Sequence, residues 1–157
     1  YISFSATNPE YFTPELEALG IPCLTADKQR GIPAHPRICP VCRVDDMAAS
    51  DTMIEYLYKK GHRRIGIIGG KPNLSRPSLA RLAGCQGAML RLGLPFDMEK
   101  QYAYARFSLS SGYEAMEYLL KHSPDITAVF AMSDLMALGA SCAARSRAVC
   151  AAGYFRH

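Results

Sequence analysis

No run of apolar residues in this 157-residue chain approaches the ~18 that a membrane-spanning helix needs. No charged leader precedes the opening Tyr1-Ile2-Ser3-Phe4, so the chain is expected to show no signal peptide. Outside Lys59 to Arg64 the basic residues are scattered, and a net charge of +4 with no basic arm argues against nucleic-acid binding by this stretch. No Ser-His-Asp or Cys-His grouping falls on a predicted strand-end loop, because His35, His62, His122 and His157 sit in loops or helix ends. The chain is therefore expected not to be an enzyme. Cys39-Pro40-Val41-Cys42 has no second pair at zinc-finger spacing. The six cysteines are accordingly read as reduced and mostly buried in a reducing compartment, with neither metal nor cofactor. Gly66-Ile67-Ile68-Gly69-Gly70 does not fit G-x-G-x-x-G, which argues against a dinucleotide oxidoreductase. No repeat of about 20–50 residues recurs, so a solenoid is excluded.

What is present centres on Gly61-His62-Arg63-Arg64-Ile65-Gly66-Ile67-Ile68-Gly69-Gly70. The four-residue apolar run is too short for a helix and lacks polar alternation, so it predicts a strand buried on both faces. Gly61 suits a left-handed helix cap, with Lys59, Lys60 and His62 placed where cations favour the helix dipole. The glycine pair opens a loop at the carboxyl end of the strand, where ligands of parallel α/β sheets gather.

The rest of the chain alternates in the same way. A strand is predicted over 1–5, a helix from Thr13-Pro14-Glu15 to Gly20, and a strand over 21–26. Residues 28–40, rich in proline, predict a surface loop, and 41–44 a further strand. A helix over 47–60 would turn Met47, Ser50, Ile54, Leu57 and Tyr58 inward. After the central strand come a loop over 71–77, a helix carrying Leu82, Cys85, Met89 and Leu92, and a strand over 102–107. A helix from Ser110 turns Tyr113, Met116 and Leu120 inward; a strand over 127–132 and a helix from Ser133 to about 145 follow. Such alternation predicts a parallel α/β fold. The proline-rich loop and the paired acids Asp45-Asp46 place a lobe boundary near residue 44.

Five motifs in this order resemble the regulatory core of LacI-type bacterial transcription regulators. They are Val44-Asp45-Asp46, the Gly61 to Gly70 stretch, Arg81-Leu82-Ala83-Gly84, Ser111-Gly112-Tyr113-Glu114-Ala115, and Ser133-Asp134-Leu135-Met136-Ala137-Leu138-Gly139-Ala140. The purine-repressor branch looks nearest, around Phe107 and Gly139 to Ala144. The resemblance implies Rossmann-like parallel-sheet lobes of the type I periplasmic-binding-protein kind, present in part. Residues 1–44 would belong to the N-terminal lobe and 45–157 to the C-terminal lobe, truncated or aberrant after about 145. It further implies a small sugar or purine-like effector between the lobes, a homodimer, a cytoplasmic location, no membrane, and operator DNA bound only through an N-terminal helix-turn-helix that nothing here matches. Effector binding would then shift the DNA affinity of that headpiece. A solute-binding protein of a transporter, built on the same fold, is the alternative.

The resemblance also singles out effector-binding residues. Arg81 matches a position whose guanidinium forks onto effector hydroxyls or carboxyl groups; otherwise it is a surface arginine in a first helical turn. Phe107 would stack on the effector or be a core phenylalanine. Ser75, Arg76 and Ser78 occupy a loop that supplies polar contacts or is simply solvated. Asp27 and Ser5 end strands of the first lobe, where Asp27 equally suits a turn cap. Ser133 and Asp134 stand where many members carry Asn-Asp, and helix capping is their other reading. Asp45-Asp46 cannot form a carboxylate pair on one strand face and is read as capping the next helix. Met136, Gly139, Ala140 and Ala143 form a small-residue face expected to meet a second copy in the dimer.

Overall fold

The computed structural model of the chain describes residues 2–4, 18–20, 23–25, 38–40 and 44–153, with the side-chain surroundings of 18–20 and 44–147. Ser5, Asp27, Cys42 and the stretch 154–157 lie outside the described residues.

Strands β1 (Ile2–Phe4), β2 (Cys23–Thr25) and β3 (Ile38–Pro40) form one parallel sheet in that order. Ile2 stands opposite Cys23, and Cys23 opposite Ile38. The third strand occupies 38–40, inside the stretch read as loop, which corrects that reading; residues 41–43 of the strand expected over 41–44 lie outside the described residues. Val44, expected to end the strand, is exposed and outside it. Pro40 discouraged the earlier placement, yet it closes a strand at the edge of the described sheet, where a missing N–H is tolerated.

The second sheet is built from β4 (Ile65–Gly69), β5 (Tyr102–Tyr104) and β6 (Ala128–Ala131), all parallel, in the order β5-β4-β6. Its helices are α1 (Asp46–Lys59), α2 (Arg76–Arg91), the single turn α3 (Met98–Gln101), α4 (Leu109–His122) and α5 (Asp134–Gly153). Central β4 is buried at every residue, as its apolar run predicts. Ile54 of α1, Leu82, Cys85 and Met89 of α2, and Met116 and Leu119 of α4 complete the core. Met47, expected on the inner stripe of α1, is exposed instead.

Chain reversals are fixed by local chemistry. Asp45 caps α1 by accepting from the Ala48 N–H at 3.0 Å. At the other end Gly61 adopts φ +96°. Its N–H donates to the Tyr58 carbonyl, and that of His62 to the Leu57 carbonyl. Those two bonds satisfy carbonyls the helix would leave open, in a geometry that disfavours a side chain.

Helices pack as two pairs, α1 on α2 and α4 on α5. The second pair corrects the expected dimer face. Met136 and Ala143 are 0% and 1% exposed, Ala140 7%, and Gly139 is buried. A Cβ on Gly139 would collide with the Leu109 carbonyl, and one on Gly112 with the Met136 carbonyl. The small-residue stripe therefore lets α4 approach within the same chain. Leu135 and Leu138 form the outward apolar face of α5 instead, each more than half exposed.

Candidate functional site

Three strand exits meet at the carboxyl edge of the second sheet: Gly69-Gly70 after β4, the turn after Tyr104, and Met132 after β6. Gly70 forms the floor. A Cβ there would lie 2.7 Å from Cε2 of Phe107 and 2.5 Å from Oγ of Ser78, so only glycine lets both side chains close over the strand end. Beneath it the Tyr102 hydroxyl donates to the Gly70 carbonyl. Burial, reinforced by nearby Cys85, pushes the Tyr102 phenol up to about 12, so it stays a protonated donor at neutral pH.

The polar loop expected after β4 is shorter than the sequence suggests, because α2 begins at Arg76 rather than after Pro77. Ser75 is the N-cap: its Oγ accepts from the Ser78 N–H at 3.3 Å and from the Ser78 hydroxyl at 3.0 Å. Proline fits the first turn of such a helix. Ser78 is 0% exposed and already bonded, whereas Ser75 is half-buried and Arg76 exposed in the first turn.

Arg81 thus falls in the second turn of α2, not the first. Its Nε donates to Oδ1 of Asp46 at 2.7 Å, and its Nη1 to the Met132 carbonyl at 2.8 Å. The guanidinium ties the start of α1, the body of α2 and the exit of β6 together. Its side chain is 30% exposed and that of Asp46 14%. Among the described residues these bonds leave the two N–H groups of Nη2 unengaged. Neither partner was legible in the sequence as such. Asp46 was read as a cap, but Asp45 makes the cap bond and frees its neighbour for Arg81.

Phe107 does not end a strand. The strand stops at Tyr104, and Phe107 takes a left-handed φ of 56° and is 40% exposed. The turn holding it is fixed by the Arg106 N–H donating to Ser111 Oγ at 2.9 Å, while Ser108 and Ser111 cap α4 reciprocally. Tyr104 is also exposed at this edge, with the Lys71 ammonium 5.0 Å from its ring centroid. At the start of α5, Ser133 Oγ accepts from the Met136 N–H at 3.4 Å. Capping here belongs to Ser133, and Asp134 is exposed beside it.

The structure therefore gathers Arg81, Phe107, Ser75 and Ser78 around the loops at one sheet edge, with Ser133 and Asp134 following β6. Asp27 and Ser5 fall outside the described residues. Cys85 is buried, which pushes its thiol up to about 12, with small lowering contributions from its own backbone and Ser50. That environment does not make a nucleophile. Among the described residues, no group of three or more His, Cys, Asp or Glu side chains is arranged to hold a metal. What the edge presents is a fixed cationic donor, an aromatic face and hydroxyls, a combination suited to orienting a small polar ring.

A family model for periplasmic binding proteins and the sugar binding domain of the LacI family matches residues 5–153. The HTH-type transcriptional regulator CelR of Thermobifida fusca is 34% identical over 125 residues, 80% of this chain and 36% of that protein. The HTH-type transcriptional repressor CytR of Escherichia coli K12 is 39% identical over 102 residues, 64% of this chain and 29% of that protein. A solved CelR–cellobiose complex matches with a TM-score of 0.74 and 29% identity, covering 92% of this chain and 43% of the other. The chain thus spans about a third of the length of these curated relatives.

Proposed function

The chain belongs to the family of periplasmic binding proteins and LacI-type sugar binding domains, and on that premise we propose that it is the effector-binding core of a transcriptional regulator. Residues 1–44 contribute to one lobe and 45–157 to the other, and a small neutral ring compound, a sugar or a purine, binds between them. The relatives named above are regulators rather than transport components, which favours this reading over a transporter's solute-binding protein. Among the described residues no helix is long and apolar enough to cross a membrane.

The observation that carries the proposal is the placement of Arg81. It is held at two points by Asp46 and the Met132 carbonyl, at the sheet edge where α/β ligands bind. Nη2 donates to a ligand oxygen, the Phe107 ring covers one face of the ligand, and Ser75 adds a hydroxyl. Arg76, Ser133 and Asp134 complete the polar rim, while buried Ser78 supports Ser75 and Gly70 from below. Ligand contacts across the lobes change the balance of open and closed forms and so the DNA affinity of a helix-turn-helix headpiece. Self-association through Leu135 and Leu138 of α5 supplies the paired arrangement that an operator requires.

Calorimetric titration of ribose, cellobiose and adenine into the chain tests the site. At least one compound should bind, and Phe107→Ala should weaken it by about tenfold, the worth of a good aromatic contact. Arg81→Lys should bind more weakly than wild type, since an ammonium cannot hold the same three points in one plane. Unchanged affinity in both folded variants would remove this edge from the ligand site.

A further inference from the structure

We propose that Asp46 sets the charge class of the ligand: paired with it, Arg81 serves neutral oxygens and turns phosphate and carboxylate groups away. The inference rests on the reading of the carboxyl edge as the ligand site and adds a rule for what enters it.

An arginine standing alone at a sheet edge would be a natural anion anchor, because its fork matches phosphate and carboxylate oxygens. Arg81 does not stand alone. Nε is 2.7 Å from Oδ1 of Asp46, which occupies one end of the Nε–Nη2 fork, and Nη1 is engaged by the Met132 carbonyl. The carboxylate is only 14% exposed, so solvent and salt screen the pair less than they would on an open surface. An anion approaching Nη2 meets a neutralised cation with a carboxylate of its own sign 2.7 Å from Nε. A hydroxyl or carbonyl oxygen meets the same donor without that repulsion.

Two neighbouring acids add to the effect, set against the exposed Arg76 on the same rim. Asp45 caps α1 one residue away, and Asp134 is exposed at the start of α5. Lys71, the cation nearest in sequence to Gly70, lies over the Tyr104 ring. Asp46 touches Arg81 rather than the ligand, so its role is to position and neutralise. A purely structural role would change stability and leave the choice between neutral and anionic ligands alone.

The experiment compares ribose, ribose 5-phosphate and inorganic phosphate by calorimetry on the 157-residue chain. Asp46→Asn keeps the size and one acceptor for Nε but removes the charge. Asp46→Ser, a residue at home at a helix start, gives the same reading where the amide disturbs folding. Either folded variant should bind inorganic phosphate at least about tenfold more tightly than wild type. That gain should vanish when Arg81→Ala is added. Two results overturn the proposal: no gain in either folded variant, or wild-type phosphate binding that is already as tight and lost in Arg81→Ala. The ribose titration reports separately on the ligand reading. Absence of sugar binding alongside an Arg81-dependent phosphate gain supports the charge rule while counting against a sugar effector.

Discussion

At the amino edge of the second sheet, polar side chains are spent on one another. Arg64 pairs with Asp125 at 3.2 Å, Lys100 with Asp97 at 3.3 Å, and Ser123 donates to the Lys100 carbonyl at 3.0 Å. Buried Gln101 donates to the Ile65 carbonyl at 3.0 Å and accepts from the Asp97 N–H at 2.8 Å. An open pocket of about 340 Å³ lies among these groups, yet its side chains already close the loops that lead into the strands. The carboxyl edge uses similar residue types differently. Arg81 keeps Nη2 unengaged among the described residues, Phe107 and Tyr104 are exposed, and serines cap three helix starts around the strand exits. Volume alone does not choose the amino edge, since a pocket of about 390 Å³ lies between Tyr102 and Tyr104 of β5 and Glu114 and Tyr118 of α4. Unspent donors and an exposed aromatic face point to the carboxyl edge, and the second criterion is the one tied to recognition chemistry.

The largest expected effect that would sharpen this contrast comes from Arg81→Ala. A charge-assisted bond is worth about 1.5–3 kcal/mol, so ligand affinity should fall by about one to two powers of ten. The substitution also strips half-buried Asp46 of its partner and leaves the Met132 carbonyl without its donor, so stability should fall by about 1–3 kcal/mol in urea titration. Reading Arg81 as a surface arginine in a helical turn predicts no such loss of stability.

Gln101→Leu at the amino edge should cost a similar 1–3 kcal/mol, roughly the desolvation of the groups it leaves unpaired. Ligand affinity should not move. A change in affinity with the fold intact would break the division between the edges.

Tyr102→Phe removes the donor beneath Gly70 and should cost about 1 kcal/mol, with a loss of affinity smaller than for Arg81→Ala. The same residue has a pH signature. In the folded chain Tyr102 and Cys85 are both raised, from 10.0 and 9.0 to about 12, chiefly by burial. Raised acids contribute stability that is fully present below their unfolded values and is lost as pH climbs through the folded ones. The urea midpoint should therefore fall between about pH 9 and 12. Tyr102→Phe should fall less steeply over the upper half of that window; an identical slope would remove Tyr102 from the balance.

Arg64→Ala should be the smallest effect. Both partners of its ion pair are more than half exposed, so the change in stability should stay within about 0.5 kcal/mol.

How much of this was legible in the sequence follows from the range of each interaction. The buried β4, the Gly61 cap and the α/β alternation are signalled by patterns within a few residues, and they stand as expected. Arg81 was identifiable by its motif, but its partners are 35 and 51 residues away, beyond any local pattern. The left-handed backbone at Phe107 has no sequence signal, since phenylalanine disfavours it. Met136, Gly139, Ala140 and Ala143 signal a face that permits close approach, read from the sequence as meeting a second copy. Which helix fills it is a tertiary fact, and α4 of the same chain does so.

The most direct test of the account is a map of where ligand acts. With ¹⁵N-labelled chain and whichever of ribose, cellobiose or adenine binds in calorimetry, amide shifts should be followed through saturation. The account predicts the largest perturbations at 69–71, 105–108 and 131–134, the three strand exits around Arg81. Perturbations concentrated at 64, 95–101 and 122–125, with the strand exits unmoved, would place the ligand at the amino edge and contradict it.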